Sequence, residues 1–208
     1  MMINDDLHAF LRLPRIIGRQ SAIKLQKVGF TLLLANAGSF FGNGNSNYFE
    51  GADTNLQITS LSTAEQMFLD QKDDNGDPIS MSAGLLLVPT SLKTIADQLH
   101  NEVAVNETTT ANKPKPARNP HAGRFRPVAT PWLNAQSLTG SSATAWYLLA
   151  DPADAAVIEV IYLRGRRTPV IESDETAFNT LGMQWRGYFD FGCSLQEKRA
   201  GVKSKGAA

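Results

Sequence analysis

A single cysteine, Cys193, stands in a chain of 208 residues that has only three histidines. One thiol cannot close an internal disulfide, which excludes a disulfide-stapled secreted scaffold and points to a reducing, intracellular setting. An excess of charge is missing too, because 20 lysines and arginines face 20 aspartates and glutamates. That balance removes the electrostatic reason to expect nucleic acid or a membrane as the main partner. Long apolar runs are lacking. A stretch such as Phe30 to Ala35 falls far short of the roughly 20 residues that span a bilayer. The start has no basic-then-apolar segment of the signal-peptide kind. What remains is 42% hydrophobic and long enough to bury a real core, as one large domain or two interleaved small ones. Composition thus predicts a soluble, near-neutral cytosolic protein.

The chain opens MMINDDLHAF. Asn4 is a good N-cap, and Asp5 and Asp6 would lie in a first turn, where the helix dipole favours negative charge. Leu7, Phe10 and Leu11 follow at helical spacing, and the pattern resumes from Arg19 to Leu34. Pro14 and Gly18 predict a kink or restart between the two stretches, and Asn36 and Gly38 supply the stop. A loop rich in glycine and asparagine, FFGNGNSNYFEGADTN, comes next. Ser62-Thr63-Ala64-Glu65 reads as a capping box for a short helix to about Gln71. DDNGDP is a turn with Asn75-Gly76 at its tip. Gly84 to Val88 reads as a buried strand ending at Pro89. Thr90 or Ser91 would then cap a helix with an apolar stripe of Leu92, Ile95, Ala96 and Leu99.

From Ala104 to Arg124 the text turns polar and aperiodic, rich in threonine and proline, and predicts a long exposed loop. Phe125 to Thr130, Ala145 to Ala150 and VIEVIYL read as strands. Arg164-Gly165-Arg166-Arg167 turns the chain into PVIE. MQWRGYFDFG alternates as one final strand, and EKRAGVKSKGAA reads as a frayed basic tail. The class is α+β, with helices early and an antiparallel sheet late.

Chemistry is sparse. With Gly76 at the sixth place of an EF-hand loop, Gln71 and Ser82 fall where carboxylates are required, so a calcium loop is excluded. GNGN follows a helix and lacks the GxGxxG continuation of a dinucleotide site. His8, His100 and His121 lie far apart, with no second ligand at metal spacing. His121 reads as a solvated loop residue rather than a surface site. Cys193 would need a histidine beside it to act as a nucleophile, and reads instead as a small half-buried thiol. Two basic groups remain: Lys113, Lys115, Arg118, Arg124 and Arg126, and then Arg164, Arg166 and Arg167. Neither is interleaved with aromatics as a single-strand binding surface would be. Both read as solvated loops or ion pairs across a subunit boundary. No catalytic, cofactor-binding or metal-ligating residue is assigned, and no cofactor is expected.

With that inventory empty, INDDLHAFLRLPRIIGRQSAIK resembles the segment of tailed-phage major capsid proteins that forms the long spine helix. LLLVPTSLKTIADQL looks like their axial-domain strand, proline and helix. FRPVATPWL, AWYLLADP, IEVIYLRGRRTPVIE and LGMQWRGYFDFG follow in the family's order, so the similarity runs over about residues 3–200. Relatives include fusions to a prohead protease. The resemblance implies a Hong Kong 97-type capsid fold. Residues 1–38 would be the spine helix of a peripheral domain, and 39–155 mainly an α/β axial domain. The loop at 104–124 would lie near a capsomer axis. Residues 156–195 would give peripheral-domain strands, and 196–208 a flexible basic tail.

The implied protein is a structural subunit of an icosahedral shell around the genome. It would be found in the virion capsid, and in host cytoplasm before assembly. Its partners would be other copies of itself, with scaffold, prohead protease and portal proteins, and no specific nucleic-acid sequence or membrane. The family's N-terminal arm and extended loop precede the spine helix, and here residue 3 is already at the spine motif, so a truncated chain with weak or aberrant self-association is expected. The alternatives are a prophage-encoded nucleic-acid-binding or accessory protein, and, further off, a cysteine-dependent hydrolase. The hydrolase would rest on Cys193, His121 and carboxylates such as Glu159 and Glu172.

Overall fold

One helix of 27 residues, α1 (Ala9–Ala35), begins a computed structural model that describes residues 9–108, 114–175 and 183–207. The predicted N-cap at Asn4 and first turn at Asp5 and Asp6 lie outside the described residues. In chain order there follow β1 (Tyr48–Phe49), α2 (Ile58–Leu69), β2 (Ala83–Pro89), α3 (Lys93–Asn101), β3 (Ala104–Thr108) and β4 (Pro114–Arg118). Next are β5 (Arg126–Thr130), β6 (Trp146–Ala150), β7 (Ile158–Tyr162), β8 (Val170–Glu175), β9 (Met183–Tyr188), β10 (Phe191–Leu195) and β11 (Gly201–Ser204). The class is α+β. Strands already appear at Tyr48, and the largest sheet is mixed rather than antiparallel.

The chain divides into two units. A sheet unit holds Thr31–Glu159 and Leu195–Ala208, and a helix-and-ribbon unit holds Met1–Phe30 and Val160–Ser194. In the sheet unit five strands run in the order β1-β11-β6-β2-β5, with β1/β11 and β2/β5 parallel and the two central pairings antiparallel. Leu86, Leu87 and Val88 of β2 are buried in succession, as are Trp146, Tyr147 and Leu148 of β6. Burial of consecutive residues means both faces of the sheet are covered, which is why these strands read as continuous apolar runs. Leu61, Ala64 and Phe68 of α2 and Ala96 of α3 add to the same core.

The predicted tail is an inner strand of this sheet, β11, and this is the largest correction. Val202 and Ser204 are fully buried, and Lys203 lies with its ammonium 5.6 Å from the Tyr147 ring centroid and 6.0 Å from that of Tyr48. Lysine can rest its stem on apolar surface while its charge sits over aromatic faces. The Ala207 N–H donates to Thr54 Oγ1 (2.9 Å), and the Thr54 N–H donates to the Ala207 carbonyl (3.2 Å). Gly206 turns with φ 68°, and a Cβ there would overlap the Thr144 carbonyl. Buried Trp146 gives its indole N–H to Thr54 O (3.1 Å), which also accepts from Ser204 Oγ (2.8 Å).

Other local expectations shift for traceable reasons. Helix α2 starts at Ile58, where the Ser60 hydroxyl accepts from the Gln57 N–H (3.1 Å), so Ser62 and Glu65 are interior residues. Before α3, Thr90 Oγ1 accepts from Asn134 Nδ2 (3.0 Å) and Ser91 Oγ donates to Ala143 O. Neither hydroxyl caps the helix, and a 3-10 turn (Thr90–Leu92) leads in instead. Of the α3 stripe only Ala96 is buried, and Ile95 is exposed. The DDNGDP turn forms as expected: the Asp73 N–H donates to Asp77 O (2.9 Å), and Gly76 takes φ 93°.

The stretch from Ala104 to Arg124 is not all loop, because Ala104–Thr108 and Pro114–Arg118 are strands. Its arms β3 and β4 pair antiparallel, Ala104 with Arg118 through Thr108 with Pro114. The Asn119 N–H donates to Val103 O (2.9 Å), which sets the parity: odd positions of β4 donate into the ladder and even ones point away. Pro114 and Pro116 are even, so neither removes a ladder bond.

In the helix-and-ribbon unit α1 runs unbroken through Pro14 and Gly18. The proline removes one backbone bond, and several bonded turns on its C-terminal side sustain the helix. Asn36 (φ 47°) and Gly38 (φ 64°) end it in left-handed conformations, as read from sequence. β8 and β9 form a two-stranded antiparallel ribbon from Val170↔Tyr188 to Glu175↔Met183. α1 packs on it so closely that a Cβ on Gly187 would overlap Ile17 Cγ2. The single final strand expected over MQWRGYFDFG is two, broken at Phe189–Asp190, where Phe189 stacks on Tyr162 with centroids 5.9 Å apart. β10 pairs with β7, and the chain passes between the units within both strands.

Candidate functional site

The polar residues that come together in the sheet unit are ones the sequence keeps 59 positions apart. His121 is 2% exposed, where a solvated loop histidine was expected. Asn119, also buried, anchors the turn before it by donating from Nδ2 to Leu99 O (2.8 Å) and Glu102 O (2.9 Å). Its Oδ1 accepts from the His121 N–H (3.0 Å). The imidazole Nε2 then lies 2.9 Å from Ser62 Oγ of α2. Nδ1 faces Glu65 Oε2 at 3.6 Å, beyond hydrogen-bond reach, and has no partner. Glu65 is held by Arg124, whose Nη1 donates to Oε2 at 3.0 Å while Nη2 meets Oε1.

Serine, histidine and glutamate in this order suggest a nucleophile, a base and its orienting carboxylate. The geometry assigns them another task. The Ser62 hydroxyl donates to Ile58 O (2.9 Å), so it accepts from Nε2–H and its proton is not offered to a base. Glu65 spends its charge on Arg124. Burial pushes the His121 pKa down, opposed by Glu65 and reinforced by Arg124. The cluster clamps the turn after β4 to the exposed face of α2. Ser62 and Glu65 occupy the spacing of a capping box because both spacings place two side chains on one helix face.

The remaining candidates stay apart. Cys193 is half-buried and burial raises its thiol pKa, the opposite of an activated thiolate. Glu159 accepts from Gln196 Nε2 (2.7 Å), and Glu172 accepts from Arg186 Nε (2.6 Å). His8 and Lys113 lie outside the described residues, and His100 Nδ1 is buried without a partner. Arg118 and Arg126 are exposed, as are Arg164, Arg166 and Arg167 around a turn where Arg164 has φ 54°. Among the described residues no cluster of metal-ligating side chains occurs, and no helix is long and apolar enough to cross a membrane. A depression of about 900 Å³ is open and polar, bordered by Asn43–Ser46, Asp70, Lys72 and Arg199. It has no buried nucleophile.

What the structure does present is surface. In the helix-and-ribbon unit no described side chain is buried. Leu13, Ile16, Ile161, Leu163 and Tyr188 are 42% to 61% exposed. All its described strands belong to two-stranded ribbons, so every one of them is an edge.

A family described as phage capsid protein matches residues 1–204. No curated protein matches the chain.

Proposed function

The chain belongs to the phage capsid protein family, and from that premise we propose how its two units divide the work of a shell. It is a structural subunit of the virion capsid, and copies of it assemble into the lattice. In our reading it has the Hong Kong 97-type fold. The helix-and-ribbon unit is the peripheral domain with α1 as its spine, and the sheet unit is the axial domain. The β3–β4 ribbon then reaches towards a capsomer axis. Scaffold, prohead protease and portal proteins are its transient partners, and it works by packing rather than turnover.

The observation that carries this reading is the absence of any buried described side chain in the helix-and-ribbon unit. A two-stranded ribbon is marginal alone in water, and grouped exposed apolar side chains mark a contact surface. Neighbouring copies supply the missing cover. Concentrated protein examined by negative-stain microscopy and hydrogen exchange tests this. Particles should form, ordered as shells or rings or aberrant in shape. Amides of the sheet unit should be protected in dispersed and assembled protein alike, and those of α1 up to Phe30, β8 and β9 only after assembly. A chain that stays monomeric at high concentration overturns the reading.

A further inference from the structure

One face of α1 answers to neither its own ribbon nor an apolar neighbour. Between Ala9 and Ala35 the helix carries Arg12, Arg15, Arg19, Lys24 and Lys27 and no acidic residue. The arginines stand at i, i+3 and i+7. At 3.6 residues per turn they fall within about 60° of one another, along about 10 Å of axis. Ile17, which meets Gly187, lies on the opposite side, roughly 160° to 220° away by the same geometry. The groove between helix and ribbon is lined on the helix side by Ile16, Ile17, Gln20, Ser21 and Lys24, and by none of the three arginines. All three are exposed, and none forms an ion pair with a described residue.

We propose that Arg12, Arg15 and Arg19 form a binding stripe for the phosphate backbone of duplex nucleic acid, so that α1 turns this face to the packaged genome. Guanidinium is suited to the task, since its planar fork pairs with phosphate oxygens and keeps its charge at any working pH. Contacts confined to phosphate oxygens hold a duplex whatever its sequence. The overall charge balance of the chain does not oppose this, because no acidic residue lies between Ala9 and Ala35. The proposal rests on the capsid reading for the identity of the polyanion, but not for the binding itself.

The test is fluorescence anisotropy of the full chain with a mixed-sequence duplex across a salt series. Neutralising three phosphates gives a slope of log affinity on log salt of about −2.7, or roughly 40-fold weaker binding at 200 mM than at 50 mM. Arg12→Gln, Arg15→Gln and Arg19→Gln together should abolish most of the binding at low salt and flatten the slope. Far-UV circular dichroism should show the helix content unchanged. The matched triple Arg164→Gln, Arg166→Gln and Arg167→Gln should keep the wild-type slope. The proposal is overturned if the wild-type chain does not bind, if the helix variant keeps its slope, or if the slope follows the second triple. Particle formation is scored on the same samples. Loss of particles with an unchanged slope would assign the stripe to a second copy of the chain, and absence of particles with the expected slopes would sink only the capsid reading.

Discussion

The sheet unit and the helix-and-ribbon unit are made by one chain of even composition, yet they solve opposite problems. In the first, strands β2 and β6 are buried on successive residues and α2 closes over them, with Trp146 and Val88 at 0% exposure. In the second, the helix up to Phe30 and the ribbons leave every described side chain at least partly in water, and the buried Leu33 and Leu34 of the last turn of α1 belong to the first unit. Apolar area removed from water is the main favourable term in folding. The first unit therefore carries its own stability, and the second borrows from whatever covers it. A subunit that must be soluble alone and cohesive in a shell benefits from that division, because surface designed for neighbours is surface withheld from its own core.

The sharpest way to break the comparison is in the sheet unit. Trp146 packs edge-on against Phe49 with centroids 5.8 Å apart and anchors the Thr54 carbonyl. Trp146→Ala should destabilise the dispersed chain by about 3–5 kcal/mol through cavity formation, read by urea unfolding. A loss no larger than that of a surface substitution would mean the sheet unit is not the independent core.

An intermediate effect should come from the clamp on α2. Burial holds the His121 pKa below its ordinary value of 6.5, so the fold prefers the neutral ring. The unfolded chain then binds a proton that the native state resists. The stabilisation is complete above that ordinary value and is lost as pH falls through it towards the depressed native pKa. Melting temperature should drop between neutral pH and pH 5 (the opposing Glu65 moderating the fall), more steeply than in His121→Gln. The substitution itself should cost about 1 kcal/mol at neutral pH, the worth of one hydrogen bond. Parallel pH profiles for the two proteins would show that the ring does not titrate as argued.

What could be read in advance follows the same divide. LLLVP was legible as a buried strand and WYLLA as a strand because both sheet faces are covered, and a run of apolar residues has few other uses. The stop after α1 was legible because Asn36 and Gly38 take backbone angles few residues tolerate. β11 was not, since Lys203 and Lys205 look solvated until the rings of Tyr48 and Tyr147 are brought beneath Lys203. The β3–β4 ribbon hid behind Pro114 and Pro116, whose harmlessness depends on a ladder parity that no local pattern displays. The clamp was half visible: Ser62 and Glu65 were singled out for the right spacing and the wrong purpose. Their partners His121 and Arg124 lie far along the chain, and only the fold brings them to α2. The arginine face of α1 needed the contact between Ile17 and Gly187 to define which side is outward.

The smallest effect should be the most telling. Ile161 and Leu163 are 57% and 61% exposed, so truncating either removes little area that folding took from water. Ile161→Ala and Leu163→Ala should each shift the stability of the dispersed chain by about 0.5 kcal/mol or less, as surface substitutions do. In assembly the same methyl groups meet a partner, and losing them at every copy should raise the protein concentration at which particles appear, seen by light scattering. Near-silence in unfolding together with a clear shift in assembly is the signature of side chains kept for another molecule. A large loss of stability in the dispersed chain would instead show that the helix-and-ribbon unit has a core of its own, and the contrast between the two units would fail.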